Sequence, residues 1–173
     1  MTTVTLIVSD TSPLSLLIRV GQAHLLPMLF TKVIIPPPVE AEMRHPKAPE
    51  PLRAFIASPP SWLAVEKPSY LLSIPELDSG EVAAISLALE LNAILMVDEQ
   101  DGRRAAIAQG LQIIGAVGVL EQAAKTGLIT DLAAVHANVR SLRFHVSDEI
   151  LDDSLERVRK YTRRFGGDVP PEA

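Results

Sequence analysis

Apolar residues come along this chain in blocks, and the blocks alternate between two lengths. Val4 to Ser9 is a near-continuous aliphatic run ended by Asp10, as expected of a strand buried on both faces of a parallel sheet. Ser12-Pro13 then reads as an N-cap and first helical residue. Leu14, Leu16, Leu17, Ile18 and Val20 predict a short helix stopped by Gly21. A second short helix is expected over 24–30, a second buried strand over 32–36, and a helix from the Pro36-Pro37-Pro38 run through Met43. The proline-rich stretch 45–75 predicts a helix near 52–57, a strand near 62–65 and connecting loops. Residues 79–91 (SGEVAAISLALEL) are apolar nearly all round, so that helix should be buried. Ala93 to Val97 reads as a strand ended by Asp98, 103–109 as a helix stopped by Gly110, and 111–117 as a strand. Helices are expected over 119–126, 131–142 and 148–164. Strands alternating with helices predict an α/β domain with a central, mainly parallel sheet. One domain is expected over 1–165, with a disordered tail over 166–173.

Composition narrows the field. The chain has 173 residues, 47% hydrophobic and 21% charged, and a mean hydropathy of +0.23. That excludes a disordered chain and allows a real core. There is no cysteine, which removes disulfides, thiolate metal sites and cysteine nucleophiles together. The longest charge-free stretch, Ala105 to Leu120, is 16 residues and holds three glycines. A membrane span needs roughly 20 apolar residues. The opening MTTVTLIVSD has no basic region before its apolar run, so no signal peptide is expected and a cytoplasmic location is the base reading.

The acids carry the candidate chemistry. Two buried strands each end in an aspartate, IVSD10 and LMVD98. In open parallel sheets ligands sit outside the carboxyl ends of strands, although a lone Asp there can simply start a turn. Glu81 is the third candidate. It either ligates, or closes a capping box with Asp78 three residues before it. Glu42 is the fourth. On a helix whose inward stripe holds Val39 and Met43, it lies about 60° from Val39, and Glu40 about 100° away on the other side. Four carboxylates with no cysteine and no histidines at ligand spacing make a hard oxygen site, suited to Mg²⁺ or Mn²⁺. Phosphodiester hydrolysis is the chemistry that needs such a site.

Several stretches together resemble a PIN-domain ribonuclease, in the PIN-like group related to VapC-type toxins. They are VSDTSPL at 8–14, IIPPPVEAEM at 34–43, LDSGEVAAISLALEL at 77–91, AILMVDEQDGRRAA at 93–106 and GLQIIGAVGVLEQAAKTGLI at 110–129. The Pro-x-x-Val-x-x-Glu spacing of the second selects Glu42 over Glu40. The resemblance implies a three-layer α/β/α fold and a metal-dependent endoribonuclease acting on RNA, the toxin of a toxin–antitoxin pair. It further implies a homodimer, an antitoxin protein as partner, and Asp10, Glu42, Glu81 and Asp98 around Mg²⁺ or Mn²⁺. Ser12 would add a supporting hydroxyl, and Glu99 or Asp101 an outer carboxylate. The chain departs from better-known PIN nucleases, which often carry Asp on the central helix and Thr-x-Asp at the later strand end. Here Glu81 and Val97-Asp98 stand there.

The formal charge of −5 speaks against a nucleic-acid binder only until the acids are placed. With Asp10, Glu42, Glu81, Asp98 and Asp101 set aside, the remaining acids equal the 16 Lys and Arg, and bound metal reverses the sign inside the site. Arg103 either holds a substrate phosphate or faces solvent with Arg104. The helix over 148–164 has acids early and basic residues late, which the helix dipole favours; a basic end facing RNA or a partner is the sharper reading. Two other functions stay open. One is a PIN-like binding or regulatory module with weakened metal binding. The other is an aspartate-based phosphatase, against which Asp10 is followed by Thr11-Ser12 rather than by x-Asp.

Overall fold

The computed structural model describes residues 4–166; the segment expected as a disordered tail lies, but for Gly166, outside them. The described chain falls into two compact units that meet in sequence at Ala116 and Val117.

The first unit is built on five parallel strands: β1 (Leu6–Ser9), β2 (Lys32–Ile35), β3 (Leu63–Val65), β4 (Ile94–Met96) and β5 (Ile113–Ile114). Their order is β3-β2-β1-β4-β5. Every neighbouring pair is parallel, so all carboxyl ends lie along one edge. The connections run outward from β1 in both directions, and the topological switch point falls between β1 and β4, where open parallel sheets bind ligands. Register puts Ser9 opposite Met96, and the Asp10 N–H donates to the Met96 carbonyl at 3.0 Å. Asp10 and Asp98 thus leave adjacent strands on either side of that point.

Helices α1 (Thr11–Arg19), α2 (Leu26–Leu29), α3 (Pro37–Arg44), α4 (Glu50–Ala57), α5 (Ser79–Leu91) and α6 (Gln100–Ala108) complete this unit, in a three-layer α/β/α arrangement. Val8, Ile34, Leu95 and Val97 form one core with Ala84, Ile85, Leu87 and Ala88 of α5 and Ala106 of α6. Both the α5 and β1 patterns are therefore satisfied by burial on that face. Most predicted elements fall where the hydrophobic pattern put them, and three differ. Helix α1 begins at Thr11 with Asp10 as N-cap, not at Ser12-Pro13, because the strand's last hydrogen bond already ends at Asp10. Residues 24–30 hold a 3-10 turn at Ala23–Leu25 and a four-residue helix. The strand expected over 111–117 shrinks to Ile113–Ile114, because the Ala116 N–H is taken by the Asp98 carboxylate at 2.9 Å and a helix starts there.

That helix is α7 (Ala116–Lys125), followed in the second unit by α8 (Leu132–Ser141) and α9 (Asp148–Phe165). Charged pairs join these helices. Arg157 of α9 donates two bonds to Glu121 of α7, at 2.9 and 3.0 Å, and Lys125 adds a third contact at 3.2 Å. Burial works to raise the Glu121 carboxyl, but the bonds from Arg157 and Lys125 outweigh it and hold it below its ordinary value. Arg140 of α8 reaches Asp148 and Asp152 of α9. The segregated charges of α9 are thus in part a set of clamps between helices.

Helix α5 ends on Asn92, whose φ of 51° puts it in the left-handed region. That conformation lets the Asn92 N–H bond back to the helix and turns the chain into β4. Asn tolerates it better than residues with an ordinary Cβ environment, and Gly best of all. Asn92→Ala is expected to lower stability by about 1 kcal/mol and Asn92→Gly to leave it unchanged or raised, as read by urea unfolding. Equal losses in both variants would contradict the left-handed cap.

Candidate active site

Asp10 is the floor of the site. It is 5% exposed, and its carboxylate does not cap the helix it precedes. Its surroundings are acidic: Asp78, Glu81 and Glu42 all act on it electrostatically. Burial, with these three charges added, raises its pKa from 3.8 to about 7, although a backbone bond at Thr11 pulls the other way.

Gly80 shows how close the carboxylates stand. A Cβ on this residue would lie 3.4 Å from Asp78 Oδ1, 3.6 Å from Asp10 Oδ1 and 3.7 Å from Glu42 Oε2. One point thus has three carboxylate oxygens within 4 Å, and a side chain there would fill the space they face. Glu42 is solvent-exposed, but its Oε2 accepts the Thr11 hydroxyl at 2.7 Å. Glu40 on the same helix pairs instead with Arg44 at 3.6 Å. Helix geometry and the structure agree on Glu42.

Glu81 does both things that its position allowed. The Asp78 side chain accepts the Glu81 N–H at 2.8 Å, and Glu81 Oε2 accepts the Asp78 N–H at 3.2 Å, which closes the capping box. The other oxygen, Oε1, lies 3.7 Å from the Cβ position of Gly102 at the start of α6. Glu81 is 6% exposed. Burial first, then the neighbouring charge of Asp78 and a hydrogen bond shared with the Glu99 carboxyl, raise its pKa from 4.5 to about 7.

Asp98 is placed differently. Its Oδ1 accepts the Ala116 N–H and stands 2.7 Å from where a Gly115 Cβ would be, with Arg103 Nη1 3.2 Å from that same position. Burial raises its pKa despite the Ala116 bond and the Arg103 charge, and Glu99 is the acid that acts on it. The structure therefore sets Asp98 beside the acidic group, on the next strand, with its carboxylate engaged at the start of α7. Arg103 donates to the Val97 carbonyl at 3.1 Å. Ser12 reaches Glu99 at a long 3.4 Å. Asp101 is exposed and lies 3.8 Å from Arg104, away from the cluster.

Asp10, Glu42, Asp78, Glu81 and Glu99 are thus drawn toward one region, with Thr11 and Ser12 at its rim, and Asp98 and Arg103 beside it. Two members were missed by sequence reasoning. Asp78 was read only as a cap, and Thr11 only as a residue between Asp10 and Ser12. Gly80 was the available clue, because a glycine in a helix's first turn with no positive φ marks a close approach.

Among the described residues no three acidic or histidine side chains already stand at ligation distances around one point. The donor chemistry nevertheless fits a hard cation. All the candidate groups are oxygen donors, and two of them, Asp10 and Glu81, are raised to about 7 by burial and by the acids beside them. A divalent ion would relieve both.

Those raised values have a definite sign in stability. In the folded protein Asp10 keeps its proton up to about pH 7, whereas in the unfolded chain it loses it near pH 4. Its contribution is thus full below pH 4 and lost as pH rises through 7. Asp10→Asn removes that dependence and leaves His136, which burial lowers, common to both proteins. In metal-free buffer the variant is expected to gain on wild type by on the order of 2 kcal/mol between pH 5 and pH 8. Parallel stability curves for the two proteins in thermal melts would show that Asp10 is ionised throughout.

No curated protein matches the chain. A PilT N-terminus domain protein from the hyperthermophilic archaeon Sulfolobus solfataricus P2 is similar in structure, with 16% identity, a TM-score of 0.48, and coverage of 83% of this chain and 98% of that one. A family model described as "DUF3368: PIN domain" matches residues 6–160. That match spans β1 through most of α9 and every candidate site residue, and the chain belongs to this PIN-domain family, with its nuclease-like fold.

Proposed function

We propose that the protein is a ribonuclease that hydrolyses RNA phosphodiester bonds with Mg²⁺ or Mn²⁺. The observation that carries this reading is the convergence of Asp10, Glu42 and Asp78 oxygens on the space beside Gly80, at the switch point of a parallel sheet in a nuclease-like fold. Asp10, Glu42, Asp78 and Glu81 would hold the metal, with Asp98 and Glu99 at its margin. The ion would activate a water and neutralise phosphate charge that bare carboxylates repel.

This chain's own residues prepare the site. Asp10 leaves a strand hydrogen-bonded on both sides, so its carboxylate is the best fixed of the set. Thr11 donates to Glu42 and so orients the Glu42 carboxylate toward Asp10. The Asp78 and Glu81 backbone amides hold each other's carboxylates, which limits how far either can swing away. Glu42 and Asp78 are exposed and Asp10 is buried. The site therefore opens at its rim, as a polymer needs if its phosphodiester is to reach the floor.

The motif resemblance adds the role: the toxin of a toxin–antitoxin pair, cytoplasmic, paired with a second copy and held by an antitoxin protein. No described helix is long and apolar enough to cross a membrane. A catalytically weak binding module is the second reading, favoured by the Asp98 carboxylate being engaged by Ala116 and by the Arg103 charge.

Two measurements separate these readings. Millimolar Mn²⁺ or Mg²⁺ is expected to raise the melting temperature of wild type and not of Asp10→Asn. Against a pool of single-stranded RNA, Asp10→Asn should lose cleavage by orders of magnitude. Glu42→Gln should be impaired and Glu40→Gln should match wild type. Metal-dependent cleavage that survives in Asp10→Asn would refute the site. Absence of a metal-induced shift, together with absence of cleavage, would select the module.

A further inference from the structure

A groove of about 350 Å³ runs from the edge of the acidic cluster across the first unit. It is lined by Thr11, Ser12 and Glu42, which belong to the candidate site, and by Ser15, His45 and Lys47. A chain that presents a phosphate to Asp10 and continues in this direction enters the groove. Its lining sets one carboxylate, Glu42, beside an ammonium, an imidazole and hydroxyls.

The turn bearing His45 and Lys47 is held in place by its own backbone. The Lys47 N–H donates to His45 Nδ1 at 3.0 Å, so that nitrogen carries no proton, and Nε2 is left as an N–H donor. The Ala48 N–H bonds the His45 carbonyl at 2.9 Å, and Arg53 Nε reaches the Ala48 carbonyl from α4 at 3.0 Å. Pro46 and Pro49 stiffen the same five residues. The neighbouring cations are spoken for: Arg44 by Glu40 and Arg103 by the Val97 carbonyl. Lys47 has no acidic partner among the described residues. A lysine left unpaired, on a pinned turn, in one lining with an imidazole and a serine hydroxyl, offers a phosphodiester a cation and neighbouring donors.

We propose that this groove binds the single-stranded RNA backbone next to the bond that is cut, with Lys47, His45 and Ser15 on a phosphate and Leu52 beneath the adjoining nucleoside. The inference rests on the ribonuclease reading and names where its substrate lies. It gives an acidic protein a fixed cationic grip of its own, separate from any metal.

The test uses Lys47→Ala, His45→Ala and, as the control of equal charge change, Lys32→Ala. Lys32 stands at the amino end of β2, away from the site, and pairs with Glu66 at 3.0 Å. Lys47→Ala keeps the backbone N–H that holds His45, so the turn survives. A short labelled oligoribonucleotide is titrated into each variant in the Asp10→Asn background at several salt concentrations. Cleavage is followed in the wild-type background. Lys47→Ala is expected to weaken binding about tenfold and to reduce the slope of log affinity against log salt by about 0.7, the loss of one phosphate contact on a single strand. Its KM should rise with kcat unchanged, His45→Ala should show a smaller rise, and Lys32→Ala should show none. Cleavage by wild type with Lys47→Ala indistinguishable from Lys32→Ala overturns the groove and leaves the ribonuclease reading standing. Binding that depends on Lys47 without any cleavage does the reverse, and RNA that does not bind at all removes both.

Discussion

The candidate site depends on a carboxylate that has been taken out of water at the end of the central strand. Asp10 is fixed by the ladder on either side of β1 and surrounded by Asp78, Glu81 and Glu42. Such a group is destabilising when charged and unpaired. The fold accommodates it by protonation, with the pKa moved up to about 7, and a cation would accommodate it better. The neighbouring features follow from that constraint. Asp98 is partly neutralised by Arg103, Gly80 leaves space among three oxygens, and Thr11 spends its hydroxyl on Glu42.

Parallel topology is what makes the crowding possible. Carboxylates from three separate stretches, Asp10, Glu42 and the Asp78–Glu81 pair, meet because all five strands point the same way and β1 lies between β2 and β4. Pro37 starts α3 just after β2 and places Glu42 in that helix's second turn. The long apolar helix α5 crosses the sheet and delivers its own first turn, with Asp78 and Glu81, to the same edge. Core packing and site geometry are thus the same fact: burial of Ala84, Ile85, Leu87 and Ala88 holds the acids where they are.

Much of this was legible in the chain. Aliphatic runs ended by Asp gave β1 and β4, and the stretch 79–91 coincides with α5. Those signals are strong because burial on both faces leaves no polar alternation to misread. The 111–117 run misled for the converse reason. Its apolar residues suit a strand or a buried helix equally, and the boundary is decided by one tertiary hydrogen bond from Asp98 to Ala116. The α1 start was missed on similar grounds, since Ser12-Pro13 has good local capping chemistry and the ladder ends the strand two residues earlier. In the site, Glu42 could be separated from Glu40 by helical angle and spacing. Asp78 could not be recognised, because its capping role already explains it. Nothing in the sequence shows that the Asp98 carboxylate accepts the Ala116 N–H.

The reciprocal cap at the head of α5 restricts which substitutions position 81 can accept. Reaching back from the third residue of the helix to the Asp78 amide takes the full length of a glutamate. Aspartate is one methylene shorter and would have to give up either that amide or the site. Glutamine keeps the reach and the cap and loses only the charge. The cap thus fixes the length of the residue at position 81, while the proposed metal site calls for its charge. An aspartate could settle there only after position 78 had found another way to begin the helix.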